Sequence, residues 1–215
     1  MKKCLTVFLM LSLAVPVACA PSDASEPLLG GTCEDCHVVY QGMPDRIDSR
    51  SHIAPKDEPG EPLVIEGTVR DVQGKPAAGI IVYAHHTNAA GIYPRAETRH
   101  GRIRGWARSD STGSYRFETI RPGAYPNAGI PQHIHFHIIE PGRGLYWIGD
   151  INFDDDPLVT DEFRKRLSPG RGGYGLCHPT KDADGVWHVK RDIALGQEIE
   201  GYPGAAPDPA SVTGE

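Results

Sequence analysis

Short apolar runs separated by turn residues fill the middle of this chain, and no segment shows a long helical period. Gly (25) and Pro (19) are abundant among the 215 residues, which is typical of many short strands joined by turns. Only residues 161–167 predict a short helix. The runs that predict strands are 63–69, 80–84, 106–109, 115–119, 132–140, 145–153 and 186–194. Strands at this spacing predict an all-β fold, a β-sandwich with short helical and loop extensions.

Composition along the chain divides it into four segments. Residues 1–19 predict an export signal, 20–60 a linker and Cys-containing N-terminal extension, 61–200 the β-sandwich domain, and 201–215 a disordered tail. The net charge of −6 offers no basic surface, so we expect no nucleic-acid partner. The sequence leaves the oligomeric state open.

The first residues have the pattern of a bacterial export signal. Two lysines precede an apolar run, residues 5–17, that is too short for a comfortable transmembrane helix. Val17-Ala18-Cys19 resembles a lipoprotein cleavage site, whereas a cut after Ala20 would place the disfavoured Pro21 just beyond it. We therefore expect an exported protein, periplasmic or on the outer surface. Lipidation of Cys19, which would anchor the protein to a membrane, is favoured over plain secretion.

Three cysteines follow this signal, and their chemistry has alternative interpretations. Cys33-Glu34-Asp35-Cys36-His37 matches the c-type haem attachment pattern, although no small helical haem domain surrounds it. The other interpretations are a disulfide between Cys33 and Cys36, or a pairing of one of them with Cys177. An exported location permits either disulfide.

Tyrosines and histidines occur together in the strand-rich region. His133 and His135 are two residues apart in a predicted strand, so both imidazoles point to the same face. Tyr125 follows a Pro-Gly pair upstream of them, and Tyr93 lies further upstream. Phenolates and imidazoles form a hard, mixed oxygen and nitrogen donor set that suits a ferric ion. Tyr93, Tyr125, His133 and His135 are therefore the candidate metal ligands.

Each of these residues also has a simpler interpretation. Tyr93 could pack its ring in a hairpin, and Tyr125 could form a structural tyrosine corner. The two histidines could face solvent or bind zinc or copper, and His137 continues the same face as a third histidine. The adjacent His85 and His86 point to opposite faces and are interpreted as structural or as partners of metal ligands.

Several motifs together resemble those of the intradiol ring-cleavage dioxygenases, which include catechol 1,2-dioxygenase and protocatechuate 3,4-dioxygenase. The resemblance covers roughly residues 60–200, and its specificity comes from the combination of motifs rather than from any single one. The matching motifs are Gly67-Thr68-Val69, Gly74-Lys75-Pro76-Ala77, Ala90-Gly91-Ile92-Tyr93, Gly113-Ser114-Tyr115-Arg116-Phe117-Glu118-Thr119-Ile120, Pro122-Gly123-Ala124-Tyr125-Pro126 and His133-Ile134-His135-Phe136.

The resemblance implies an intradiol dioxygenase-like β-sandwich with a non-haem Fe(III) cofactor. It implies that Tyr93 and His133 are equatorial ligands of the iron, and that Tyr125 and His135 are axial ligands. The implied substrates are a small aromatic diol of the catechol type and O2, and the ring opens between the two hydroxylated carbons. Tyr125 is then also catalytic, because the displaced tyrosinate takes up a catechol proton.

Two positions depart from the family pattern. Ile130 stands three residues before His133, where the family usually has an arginine that stabilises negative charge on the substrate. Asp150 stands near the position of a common glutamine. The arginines close in sequence that could supply the missing cation are Arg102, Arg104 and Arg108.

Three hypotheses about function follow from these observations. The first is a non-haem Fe(III) intradiol dioxygenase, an oxidoreductase that incorporates both atoms of O2 into a catechol-like aromatic. The second is an iron-bearing catechol-binding protein without ring cleavage. The third is a zinc-binding or non-catalytic β-sandwich that serves as a binding module.

Overall fold

The computed structural model of the chain describes residues 25–167 and 170–204. Within these ranges it contains one α-helix, α1 (Asp161–Arg166), and one 3-10 helix, Cys36–Tyr40. The strands of the same ranges are β1 (Arg50–His52), β2 (Pro62–Arg70), β3 (Ile81–His85), β4 (Arg104–Arg108), β5 (Ser114–Ile120), β6 (His133–Glu140), β7 (Gly144–Phe153), β8 (Leu176–Cys177), β9 (Thr180–Lys181), β10 (Trp187–Lys190) and β11 (Ile193–Ala194). Among the described residues, no helix is long and apolar enough to cross a membrane. The predicted export signal, residues 1–19, lies outside the described ranges.

The strands form two mixed sheets that share one core. The first has the order β1-β5-β2-β10-β9, with β11 also paired to β2, and the second has the order β4-β3-β6-β7-β8. Phe117 of β5 and Phe136 of β6 are both buried and meet edge to face between the sheets, with 6.2 Å between ring centroids. The predicted all-β sandwich is confirmed.

Alternation of apolar and polar residues explains why these segments become strands. In β5, Tyr115 and Phe117 are buried whereas Arg116 and Glu118 face outward, as expected for a strand with one face on the core. The seven predicted strands are present, although the last is divided into β10 and β11. Sequence inspection missed β1, β8 and β9, which have only two or three residues each and therefore carry no readable period.

Parts of the two flanking segments belong to the folded unit, which corrects the predicted boundaries. In the segment interpreted as a linker and extension, β1 pairs parallel with β5, and Val39 is fully buried. In the segment interpreted as a disordered tail, Tyr202 is buried in the core, and its hydroxyl donates to Glu140 at 2.9 Å. The remainder of that tail, residues 205–215, lies outside the described ranges.

The cysteine alternatives are resolved by a disulfide between Cys33 and Cys36. Cys177 is buried and is not disulfide-bonded, and its thiol donates to the carbonyl of Lys190 at 3.1 Å. The haem attachment interpretation and the pairing with Cys177 therefore do not describe this structure.

The pairing of β6 with β7 is irregular at the His-x-His motif. Two residues of β7, Gly149 and Asp150, oppose the single residue His135 of β6. An extra residue of this kind is a β-bulge, which bends its strand and re-aims side chains, commonly beside a functional site. Here the bulge brings Asp150 next to His135.

A buried arginine holds the bulged strand in place. Arg191 is 1% exposed and lies in the break between β10 and β11. Its guanidinium donates to the carbonyl of Gly149 at 3.1 Å, and also to the carbonyls of Gly172, Gly173 and Asp192. Burial lowers its pKa, but a guanidinium keeps its charge in proteins. Four carbonyl dipoles thus compensate the buried charge.

We expect Arg191→Met to lower the free energy of unfolding by about 3 kcal/mol or more, because four carbonyls lose a charged donor. Urea unfolding followed by circular dichroism measures this loss. The matched control is Arg95→Met at an exposed position, which should change stability by no more than about 0.5 kcal/mol. Equal stability of the two variants would contradict the role given to Arg191.

Candidate metal centre

The four residues predicted as metal ligands come from one strand and two loops. His133 and His135 lie on β6 and point to the same face of the sheet. Tyr93 lies in the loop between β3 and β4, and Tyr125 in the loop between β5 and β6. The structure brings all four side chains to one cleft.

The two tyrosine loops are held together by close backbone packing. Each tyrosine follows a glycine by two positions, in Gly91-Ile92-Tyr93 and in Gly123-Ala124-Tyr125. A Cβ on Gly123 would lie 2.4 Å from the carbonyl oxygen of Ala89, and one on Gly91 would lie 1.9 Å from that of Ala124. Because only glycine permits this approach, the two loops place their tyrosines side by side.

The polar atoms of these residues form a continuous chain of short contacts. The hydroxyls of Tyr93 and Tyr125 are 2.9 Å apart, and the Tyr125 hydroxyl is 3.3 Å from Nε2 of His135. The rings of Tyr125 and His133 meet edge to face, with centroids 4.8 Å apart. Two phenols and two imidazoles therefore converge on one region.

Both histidines are oriented by a hydrogen bond at their far ring nitrogen. Nδ1 of His133 donates to the carbonyl of Pro131 at 2.7 Å, and Nδ1 of His135 donates to Asp150 at 3.1 Å. Because each partner is an acceptor, Nδ1 carries the proton and Nε2 presents a lone pair, which in His135 faces the hydroxyl of Tyr125. Metal-binding histidines are commonly oriented in this way.

The donor set fits a hard, highly charged metal ion. Oxygen and imidazole nitrogen are the available donors, with no sulfur among the four residues. A carboxylate oxygen of Asp150 also lies within 4.8 Å of ligand atoms of His133 and His135. Since that carboxylate accepts from Nδ1 of His135, we place Asp150 behind the histidine rather than on the metal.

Burial keeps both phenols protonated when no cation is bound. It raises the pKa of Tyr93, and the hydrogen bond to Tyr125 raises it further. Burial also raises the pKa of Tyr125 and lowers that of His133. Both phenols are therefore protonated at neutral pH, and a bound cation would reverse this preference because it favours phenolate.

Three further histidines form a neutral layer behind His135. His85 stacks on His135 with centroids 4.7 Å apart and on His100 at 3.8 Å. Burial lowers the pKa of His100 to about 4 and that of His137 to about 3. These rings therefore add no positive charge at neutral pH. Sequence inspection missed His100, which has no pattern around it and reaches this layer only through the fold.

The three-histidine zinc interpretation is not supported, although His137 shares the face of the two preceding histidines. The ring of His137 packs against Tyr83, with centroids 5.8 Å apart. Only His133, His135 and Asp150 group as metal-capable side chains at the tyrosines among the described residues. His137 belongs to a neighbouring cluster.

His86 has a structural role, which is one of the two interpretations that its sequence left open. Its Nδ1 contacts the carbonyl of Thr87 at 2.6 Å, and its Nε2 contacts the hydroxyl of Thr119 at 2.8 Å. Both ring nitrogens are thus engaged in the protein interior, away from the cleft.

The arginine that lines the cleft differs from the ones suggested by sequence proximity. Ile130 lines the cleft, and so does Arg99. Arg99 is largely exposed and pairs with Asp35 at 3.0 Å. The side chains of the three arginines named above bind elsewhere, namely to Asp57 and Glu58 (Arg102), to the carbonyl of Gln41 (Arg104) and to the carbonyl of Gly79 (Arg108). Of these arginines, Arg99 is the one that lines the cleft.

Comparison with known proteins assigns the chain to a family. A family model described as Dioxygenase matches residues 39–170. The chain is similar to catechol 1,2-dioxygenase 1 of Acinetobacter lwoffii, with 32% identity over 188 residues that cover 72% of this chain and 59% of that protein. It is also similar to the protocatechuate 3,4-dioxygenase beta chain of Burkholderia cepacia, with 37% identity over 112 residues that cover 46% of this chain and 48% of that protein. The chain thus spans about half the length of these relatives.

Solved structures share the fold at lower identity. Catechol 1,2-dioxygenase from Acinetobacter sp. ADP1 superposes with a TM-score of 0.57 and 22% identity, over 78% of this chain and 62% of that chain. An intradiol ring-cleavage dioxygenase from Tetranychus urticae superposes with a TM-score of 0.52 and 21% identity, over 82% of this chain and 95% of that chain. By its family-model match and its similarity to curated relatives, the chain belongs to the intradiol ring-cleavage dioxygenases.

Proposed function

We propose that the protein is a non-haem Fe(III) intradiol dioxygenase acting on a catechol-like aromatic. The bond between the two hydroxylated ring carbons breaks, and each of these carbons gains one oxygen atom from O2. A catechol and one O2 thus give one muconate-type diacid with no other reactant. The observation that carries the proposal is the convergence of Tyr93, Tyr125, His133 and His135 in one cleft.

These four residues would hold the iron through two phenolate oxygens and two Nε2 atoms. When bound, Fe(III) would supply a Lewis acid to which a diol can bind and which would activate that diol toward O2. Two phenolates and two neutral imidazoles carry a charge of −2, which favours the ferric state. Asp150 fixes the ring of His135 through Nδ1 and leaves Nε2 toward the metal.

Tyr125 moves a proton at its hydroxyl oxygen. Burial raises the pKa of Tyr125 above its ordinary value, so as a phenolate it is a base that can accept a proton from the first ionising hydroxyl of a catechol. Its hydroxyl contacts both Tyr93 and His135. The transferred proton therefore stays inside a hydrogen-bonded chain.

The walls of the cleft favour a planar aromatic with negative charge on its oxygens. Ile130 and Trp147 offer apolar surface. Arg99 offers a positive charge, which would serve the substrate as the family's usual arginine does. A catecholate that binds between them pairs its charge with a partly exposed guanidinium, so we expect a contribution that salt screens.

A catechol-binding protein without ring cleavage is the second candidate. The specific observation that favours it is Ile130, which leaves the site without the family's usual arginine. In that case the metal site is intact and catechol binds, but O2 is not consumed.

The proposal places the protein outside the cytoplasm. The disulfide between Cys33 and Cys36 supports this location, because disulfides persist in oxidising compartments. Lipidation of Cys19 and a membrane anchor remain predictions from the sequence.

We expect the Fe(III)-loaded protein to consume one O2 per diacid formed from catechol, and Tyr125→Phe to lower kcat by about a hundredfold or more. The reason is that phenylalanine can neither bind the metal nor accept the proton. An oxygen electrode with chromatography of the product measures both quantities.

Tyr174→Phe, at an exposed tyrosine, is the matched control and should keep full activity. Full iron content with full activity in Tyr125→Phe would rule out the assigned role, and binding of catechol without O2 uptake by the wild type would favour the second candidate.

Asp150→Ala should weaken iron binding by about tenfold to a hundredfold, because His135 loses the acceptor that orients it. Asp150→Asn keeps an acceptor at the same place and should restore most of the affinity. Iron content after dialysis against a graded series of chelator concentrations measures the difference. The exposed Asp184→Ala serves as the control. If Asp150→Ala retained iron as well as the control does, Asp150 would not orient the ligand.

Arg99→Gln should lower kcat/KM for catechol by about tenfold, since a developing negative charge on the substrate loses its cation. The difference from wild type should shrink as ionic strength rises. Arg102→Gln, an arginine paired outside the cleft, is the control and should match the wild type. A larger loss of kcat/KM in Arg102→Gln than in Arg99→Gln would contradict this role of Arg99 and would indicate that Arg102 supplies the cation.

A further inference from the structure

A second group of metal-capable side chains lies beside the dioxygenase site. Cys33 and Cys36 belong to the N-terminal segment, and His137 lies on β6. Each offers one ligand atom, and these three atoms lie within 4.8 Å of one another. Cys36 and His137 are buried, at 5% and 6% exposure, and Cys33 is half-buried. None of these residues is among the four assigned to iron.

His137 is the unexplained member of this group. Its Nδ1 is buried and has no hydrogen-bond partner among the described residues. The other histidines of β6 have partners at the same atom, since Nδ1 of His133 and of His135 each donates to an oxygen. A buried polar atom without a partner is rare and requires an explanation, such as a bound ion. The two sulfur atoms are the metal-capable groups beside the ring of His137.

The chemistry of the group differs from that of the iron site. Two thiolates and one imidazole form a soft donor set, which selects Zn(II) or Cu(I) over Fe(III). The spacing of two residues between the cysteines is the one that structural zinc sites use for a pair of thiolates. We propose that Cys33, Cys36 and His137 form a redox-gated zinc site, closed by the disulfide and available when the disulfide is reduced.

Reduction of the disulfide and binding of zinc require a dithiol and a zinc ion, but no electrons or ligands from the iron site. A protein dithiol reduces the Cys33–Cys36 bond by two electrons, becomes a disulfide itself, and leaves two protonated thiols on this chain. Zn(II) then binds the two sulfur atoms and a ring nitrogen of His137, and the two thiol protons pass to water. The oxidation state of zinc does not change.

Zinc would replace a local cross-link by a long-range one. The disulfide joins residues only three positions apart, and therefore does not tie the N-terminal segment to the sheet. A zinc ion bound to both cysteines and to His137 would join that segment to β6 directly. Cys33 also lines the cleft of the proposed iron site. A change from disulfide to zinc thiolate would therefore take place at the wall of that cleft.

The test compares zinc binding by the oxidised and the reduced protein in its iron-loaded form. The disulfide is reduced with a phosphine, which becomes its oxide with oxygen taken from water, and the phosphine is removed before zinc chloride is added without air. We expect the reduced protein to bind one more equivalent of zinc than the oxidised protein, and its melting temperature to rise with zinc concentration. Cobalt chloride in place of zinc should give a near-ultraviolet thiolate band, which distinguishes this site from zinc or cobalt bound at the iron ligands.

Three variants decide which residues are ligands. Cys36→Ser should abolish the reduction-dependent zinc equivalent, and His137→Asn should weaken it by about tenfold or more. Cys177→Ser changes a buried cysteine outside the group and should leave binding unchanged. Equal zinc uptake by oxidised and reduced protein, absence of the thiolate band, or full affinity in His137→Asn would each overturn the proposal. None of these readouts depends on ring cleavage, so failure here leaves the proposed dioxygenase activity untouched.

Discussion

Strand β6 contributes residues to the core and to the candidate metal site at the same time, and the rest of the structure is arranged around it. Its residues Ile134, Phe136 and Ile138 are buried in the main core. The intervening His133, His135 and His137 face the opposite side. The period of two in a strand makes this division possible. A slip of one residue in register would exchange the two sets and destroy both the core and the site.

The histidines on the polar side of β6 are surrounded by residues of β7 and of the two tyrosine loops. The bulge in β7 supplies Asp150 to His135, and the tight contact at Gly91 and Gly123 brings two phenols to the same place. Buried donor atoms without a cation must keep their protons, which the raised pKa values of both phenols reflect. A trivalent cation would take the place of those protons. Hydrogen bonds to each far nitrogen leave the imidazoles ready to accept it.

Much of this architecture could be predicted from sequence because it rests on local patterns. Strands such as β5 alternate in hydrophobicity over five residues, Ser114 to Glu118. The motifs around Tyr93, Tyr125 and His133 to His135 are each contiguous in sequence. The bulge at Gly149 and Asp150 could not be predicted, because it depends on pairing between two strands. Very short strands such as β1 have no period.

Some site residues were missed for the same physical reason. Arg99 and His100 lie in a loop whose path is determined by the sheets, so sequence distance pointed to other arginines. Tyr202 lies in a segment rich in Pro and Gly, and composition predicted disorder there. Contacts with distant residues hold it, among them the hydrogen bond from its hydroxyl to buried Glu140 and the guanidinium of Arg143 over its ring. Long-range contacts of this kind have no signature in composition.

We propose that two tyrosinates and two histidines of this protein bind one ferric ion. Resonance Raman spectroscopy of the Fe(III)-loaded protein, excited within its visible absorption band, tests it most directly. We expect strong tyrosinate vibrations in the wild type, and their reduction but not complete loss in Tyr93→Phe and in Tyr125→Phe taken separately. A protein that binds a full equivalent of iron and shows no tyrosinate vibrations would contradict the account.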